Sequence, residues 1–120
     1  MKKNALASLV LLLASSLSHA DGSALLQRCH TAEVGLAEAN ESQRTAIAYC
    51  YGLLQGVREL NALYEKQHPN AAYFCLGEHA LSHAEAAALV VQYLQQNPPA
   101  QRQNATVAAV RALRDRYPCR

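Results

Sequence analysis

Nothing in the sequence signals a β-strand. Alternating runs of β-branched residues are missing, and alanine is abundant instead. Nor is there an apolar run of the ~20 residues that a membrane-spanning helix requires; the run from Ala5 to Leu13, which includes Ser8, is too short. A His-Glu-x-x-His pattern is absent, which removes the commonest helical zinc-hydrolase signature. No cysteine lies near the expected cleavage point, the first being Cys29, so a lipidated cysteine as the first mature residue is not expected.

What stands at the N-terminus is a basic pair (Lys2, Lys3), the apolar run, and then Ser18-His19-Ala20. That order is a secretory signal peptide covering residues 1–20, with cleavage expected after Ala20. Removing Lys2 and Lys3 reduces the eleven basic residues to nine, against nine acids, so the mature portion is neutral. A neutral domain has no general attraction to nucleic acid or to anionic membranes. Its charge is uneven, however: residues 21–65 are acid-rich and residues 66–120 are base-rich.

Residues 21–120 read as a small all-α domain of four helices arranged as two hairpins. The first helix is expected over Ser23–Ala37, with Leu25, Cys29, Ala32 and Leu36 on one stripe. The second, Gln43–Lys66, carries the clearest period in Ala46, Cys50, Leu53, Val57, Leu60 and Tyr64. His68-Pro69-Asn70 ends it. The third opens at Ser82 with Glu85 three residues on, a capping box, and stops at Asn97-Pro98-Pro99. Its apolar circumference suits a central position or a subunit contact. The fourth spans Gln101–Tyr117, and arginines 111, 114 and 116 near its end suit the helix dipole.

Four cysteines in an exported chain imply two disulfides. Three pairings are possible. Two antiparallel hairpins bring Cys29 level with Cys50 and Cys75 level with Cys119, and that pairing is favoured over the others.

Few residues carry chemistry. Gly52 and Gly56, with Ala48 a turn earlier, form a smooth stripe on the second helix, a candidate face for helix packing or for a dimer. Each interior glycine costs about 1 kcal/mol relative to alanine, so close approach of another backbone is the expected compensation. His79 and His83 stand four apart, but Ser82 caps the helix between them and no acid is suitably placed, so no metal site is expected. A cysteine nucleophile with a histidine base conflicts with disulfide use of every thiol. No catalytic set and no cofactor is therefore expected. The longest irregular segment, residues 67–81, is the candidate partner-binding loop, with His68, Asn70, Tyr73, Phe74, Glu78 and His79 as contact residues. Tyr73 and Phe74 equally suit a core role between the hairpins.

Three stretches then fall in a recognisable order: Cys50-Tyr51-Gly52-Leu53-Leu54-Gln55-Gly56-Val57, Tyr73-Phe74-Cys75, and Val90-Val91-Gln92-Tyr93-Leu94-Gln95-Gln96-Asn97-Pro98. Ala112-Leu113 and Tyr117-Pro118-Cys119 follow. From Ala46 to Cys119 the series resembles the Rap/Tai family of immunity proteins, which protect bacteria against type VI secreted peptidoglycan amidases. It departs from the family pattern at Leu76-Gly77, where a proline is usual, and at Leu53, where an aromatic is usual. The resemblance implies a periplasmic helical protein, commonly a homodimer, that plugs the catalytic cleft of a secreted cell-wall amidase or related hydrolase and needs no chemistry of its own. The competing class is a periplasmic chaperone or stress protein opened by protonation of His30, His68, His79 and His83.

Intact-mass measurement of the exported protein should find a chain that begins at Asp21 and weighs two hydrogens less per disulfide than its reduced form. A free thiol on Cys29 or Cys75 would contradict this reading.

Overall fold

The computed structural model describes residues 20–120; the signal-peptide expectation for residues 1–20 lies, but for Ala20, outside them. Four α-helices follow in order: α1 (Gly22–Thr31), α2 (Glu41–Gln67), α3 (His83–Gln96) and α4 (Ala105–Arg116). Short 3₁₀ turns at Ala32–Val34 and Pro98–Arg102 extend α1 and precede α4. Among the described residues there is no strand, only an isolated bridge between Asp21 and Asn104. None of their helices is long and apolar enough to cross a membrane.

Each helix begins where a side chain satisfies its free N–H groups. Asp21 Oδ1 accepts from the Ala24 N–H at 2.9 Å. Asn40 and Gln43 form a reciprocal capping box, which starts α2 two residues before the expected Gln43. Ser82 and Glu85 form the expected box on α3. The Glu85 carboxyl is held below its usual range by the Ser82 backbone N–H that donates to it, and secondarily by the Ser82 hydroxyl. Because the folded state lowers its proton affinity, this cap contributes at pH above the ordinary carboxylate range and is lost as the pH falls.

The first helix is shorter than its periodicity suggests. Gly35 adopts φ 81°, a left-handed conformation that stops the helical path, and Leu36 is exposed rather than on the buried stripe. On α2 the buried line is Ile47, Cys50, Leu54 and Asn61, and it is rotated from the sequence stripe. Leu60 and Tyr64, expected inside, are exposed. Length supplies the physical reason: the 27 residues of α2 span roughly 40 Å. The 14 residues of α3 and 12 of α4 span only about half of that, so the C-terminal end of α2 outruns its cover.

The core lies where α1 contacts all three other helices. Leu25, Ile47, Leu54, Val90 and Leu94 fill it, and buried alanines from α3 and α4 (Ala86, Ala87, Ala108, Ala109, Ala112) let the helices approach closely. Both disulfides take the favoured pairing. Cys29–Cys50 joins α1 to α2 inside the core, with Cα atoms 5.1 Å apart. Cys75–Cys119 ties the segment between the hairpins to the C-terminal tail, at 4.9 Å. In the chain-entropy model, closing separations of 21 and 44 residues is worth about 3 and about 4 kcal/mol.

The glycines act differently from expectation. A Cβ on Gly52 or Gly56 would meet nothing within 4 Å, and Ala48, Gly52 and Gly56 all face solvent. The intrachain packing expected of this stripe is therefore corrected: the other helices lie on the opposite side of α2, against Ile47, Cys50 and Leu54. The closely approached glycine is Gly22, where a Cβ would lie 2.4 Å from the Ala100 carbonyl oxygen. Gly22→Ala should cost about 1–3 kcal/mol by overpacking, whereas Gly56→Ala should add about 1 kcal/mol to the monomer through helix propensity. Urea unfolding of the two variants checks both signs.

Candidate partner-binding site

The segment from His68 to Ser82 lacks regular structure yet is fastened along its length. At its start the His68 N–H donates to the Tyr64 carbonyl, and the Ala71 N–H to the His68 carbonyl. Next comes Asn61, the one buried polar residue among those described, at 6% exposure. Its Nδ2 donates to the Phe74 carbonyl at 2.8 Å, and its Oδ1 accepts from the Tyr73 N–H at 2.9 Å. A single side chain thus satisfies a donor and an acceptor of an irregular backbone that has no ladder of its own. The Cys75 N–H donates to the Tyr117 carbonyl at 2.9 Å beside the Cys75–Cys119 bridge.

The far end is held by Arg58. Its guanidinium donates to the Leu81 carbonyl and the Leu54 carbonyl, and lies 3.0 Å from His83 Nδ1. The His83 ring stacks on Tyr51 at 5.3 Å. Neither Asn61 nor Arg58 was anticipated as a positioning residue. The available signal was a polar side chain, Asn61, four residues after Val57 on the inward side of an apolar helix.

The expected contact residues separate into three groups. His68 and Tyr73 are exposed, and both rings pack on Tyr64, at 5.1 and 6.2 Å, with Asn70 exposed between them in the chain. Tyr73 is 59% exposed. Glu78 and His79 are exposed at the other end of the segment, where His79 rests on Tyr117 at 5.3 Å. Phe74 does not belong with them: it is fully buried, so its assignment as a contact residue is corrected to a core role. The backbone direction fixed by Asn61 turns its side chain inward and that of its neighbour outward. His79 and His83 engage different partners, and no cluster of three potential metal ligands exists among the described residues.

Sequence reasoning missed a groove of about 600 Å³ beside this segment. Leu60, Tyr64 and Tyr73 form one wall, and Val107 and Val110 of α4 form the other. Phe74 and Asn61 lie at its base, and Arg111 and Arg114 stand on the α4 side. Leu60, at 68% exposure, is the most exposed large apolar residue among those described.

A family model described as Rap1a immunity proteins matches residues 21–119. No curated protein and no solved structure matches the chain.

Asn61→Ala should cost about 1–3 kcal/mol, because it leaves the Tyr73 N–H and the Phe74 carbonyl without their partner. The loss should be accompanied by faster amide exchange at Tyr73, with little change at the amides of α3.

Proposed function

The chain belongs to the Rap1a immunity protein family, and from that membership we propose that it is a periplasmic, non-enzymatic inhibitor that binds a type VI secreted peptidoglycan amidase and occludes its active site. The observation that carries this reading is the tethered segment 68–82, irregular in conformation but fastened at Asn61, at Cys75 and at Arg58, with Tyr73 held outward. An occluding loop binds tightly only if little entropy remains to be lost on binding. A clamped backbone meets that condition. A tyrosine on it offers large contact area with few rotatable bonds.

Export is supported by the family match, which starts at residue 21, directly after the expected cleavage point. Two disulfides suit an oxidising compartment. A second copy of the chain fits the Ala48–Gly52–Gly56 face, because its glycines are costly in an exposed helix and leave room for a close backbone. Leu63, seven residues after Gly56, continues that face and is exposed.

The test is titration of purified amidase with wild-type protein and with Tyr73→Ala, His79→Ala and Phe74→Ala, each checked for folding by circular dichroism. Wild type should abolish peptidoglycan cleavage. Tyr73→Ala should melt normally but bind at least about 2 kcal/mol more weakly, as a hot spot does. Phe74→Ala should instead lose about 3–5 kcal/mol of stability. Full inhibition by a folded Tyr73→Ala, His79→Ala double variant would refute the loop assignment. Wild-type protein that spares every amidase, but prevents acid aggregation of a client protein, would favour the chaperone class.

A further inference from the structure

The groove between the end of α2 and α4 borders the segment assigned to occlusion, which contributes Tyr73 and Phe74 to it, and is otherwise built from residues of α2 and α4. Its walls are mainly apolar, with Thr106 and the two arginines as the polar exceptions. The polar groups of Asn61 at the base are already used on the loop backbone, so the groove has no free polar atom there to orient a small polar ligand. Its charge is concentrated on one side. Arg111 and Arg114 are one turn apart on α4, both exposed, and no carboxylate among the described residues lies within ion-pairing distance of either. An arginine pair beside an exposed apolar groove is the composition that interface anchors favour.

We propose that this groove is a second docking site, which receives from the partner a segment presenting one large apolar side chain with a carboxylate beside it. The proposal rests on the immunity reading only for the identity of that partner as the toxin. The apolar side chain fills the space between Leu60 and Val107, and the carboxylate meets Arg111 and Arg114. Covering the groove excludes water from the rim, so the charge pairing fixes the direction in which the segment lies and speeds its capture. A second copy of this chain is a poorer occupant. A two-fold contact through this face sets concavity against concavity and leaves the space empty.

Two arms test the proposal. In the first, a random peptide library displayed on phage is selected on wild-type protein. Enriched peptides should pair Leu, Phe or Trp with a neighbouring Asp or Glu. Val107→Asp should abolish their binding, and Arg111→Ala/Arg114→Ala should weaken it by about tenfold or more and flatten its salt dependence. Arg111→Glu/Arg114→Glu should prefer peptides with Lys in place of the acid. All three positions are exposed, so the variants should keep the wild-type melting temperature. Peptides without the acidic preference, or peptides indifferent to the groove variants, would overturn the proposal. In the second arm the same variants are titrated against an amidase that wild-type protein inhibits. If they bind it with undiminished affinity, the docking site is refuted and the immunity reading stands. If wild type inhibits no amidase, the immunity reading fails, and the peptide arm alone decides whether the groove binds this chemistry.

Discussion

Two hydrogen bonds from one buried amide govern how the two halves of the molecule meet. Asn61 receives the Tyr73 N–H and donates to the Phe74 carbonyl, and so fixes the backbone at the point where the chain passes from the first hairpin to the second. From that fixed direction Phe74 enters the core and Tyr73 points to solvent. Burying an amide is tolerable only because both of its ends are satisfied. The Cys75–Cys119 bridge, one residue further on, holds the same segment against the C-terminal tail. The covalent and the hydrogen-bonded restraint act on adjacent residues, so the segment is irregular without being loose.

The excess length of α2 is the second constraint. Its N-terminal half is covered by α1 and α3, and its C-terminal end stands clear, with Leu60, Leu63 and Tyr64 exposed. A soluble chain rarely leaves large apolar side chains grouped in this way without a use for them. Leu63 continues the glycine face, whereas Leu60 and Tyr64 line the groove, so one helix end serves two separate surfaces.

Much of this was legible in the sequence. Helical periodicity, the Ser82–Glu85 capping box and the hairpin levels of the four cysteines led to the fold class and to both disulfides, because each depends on local chemistry or on distances counted along helices. The end of α1 was missed because Gly35 stops the helix through a backbone conformation that an apolar stripe does not register. Leu60 and Tyr64 share the apolar stripe of α2 yet are exposed, because periodicity records which face is apolar, not whether another helix is long enough to cover it. The glycine stripe and Gly22 exchanged roles for a related reason: close approach is a tertiary fact, set for Gly22 by the turn at Ala100 and Gln101, far along the chain. Within the candidate loop, the sequence could place Tyr73 and Phe74 together but not assign inside and outside. That choice depends on Asn61, twelve residues away from Tyr73.

Occlusion by this loop requires that it be held in place before any partner arrives. Residue-resolved amide hydrogen exchange of the free, oxidised protein tests this most directly. The N–H groups of Tyr73 and Cys75 are bonded to Asn61 and to the Tyr117 carbonyl, so they should be protected to nearly the same degree as the amides of α4, while the unfastened amides of Gly77 and Ala80 exchange quickly. Exchange at Tyr73 and Cys75 as fast as in an unstructured chain would show a loop that orders only on binding, and would contradict the account.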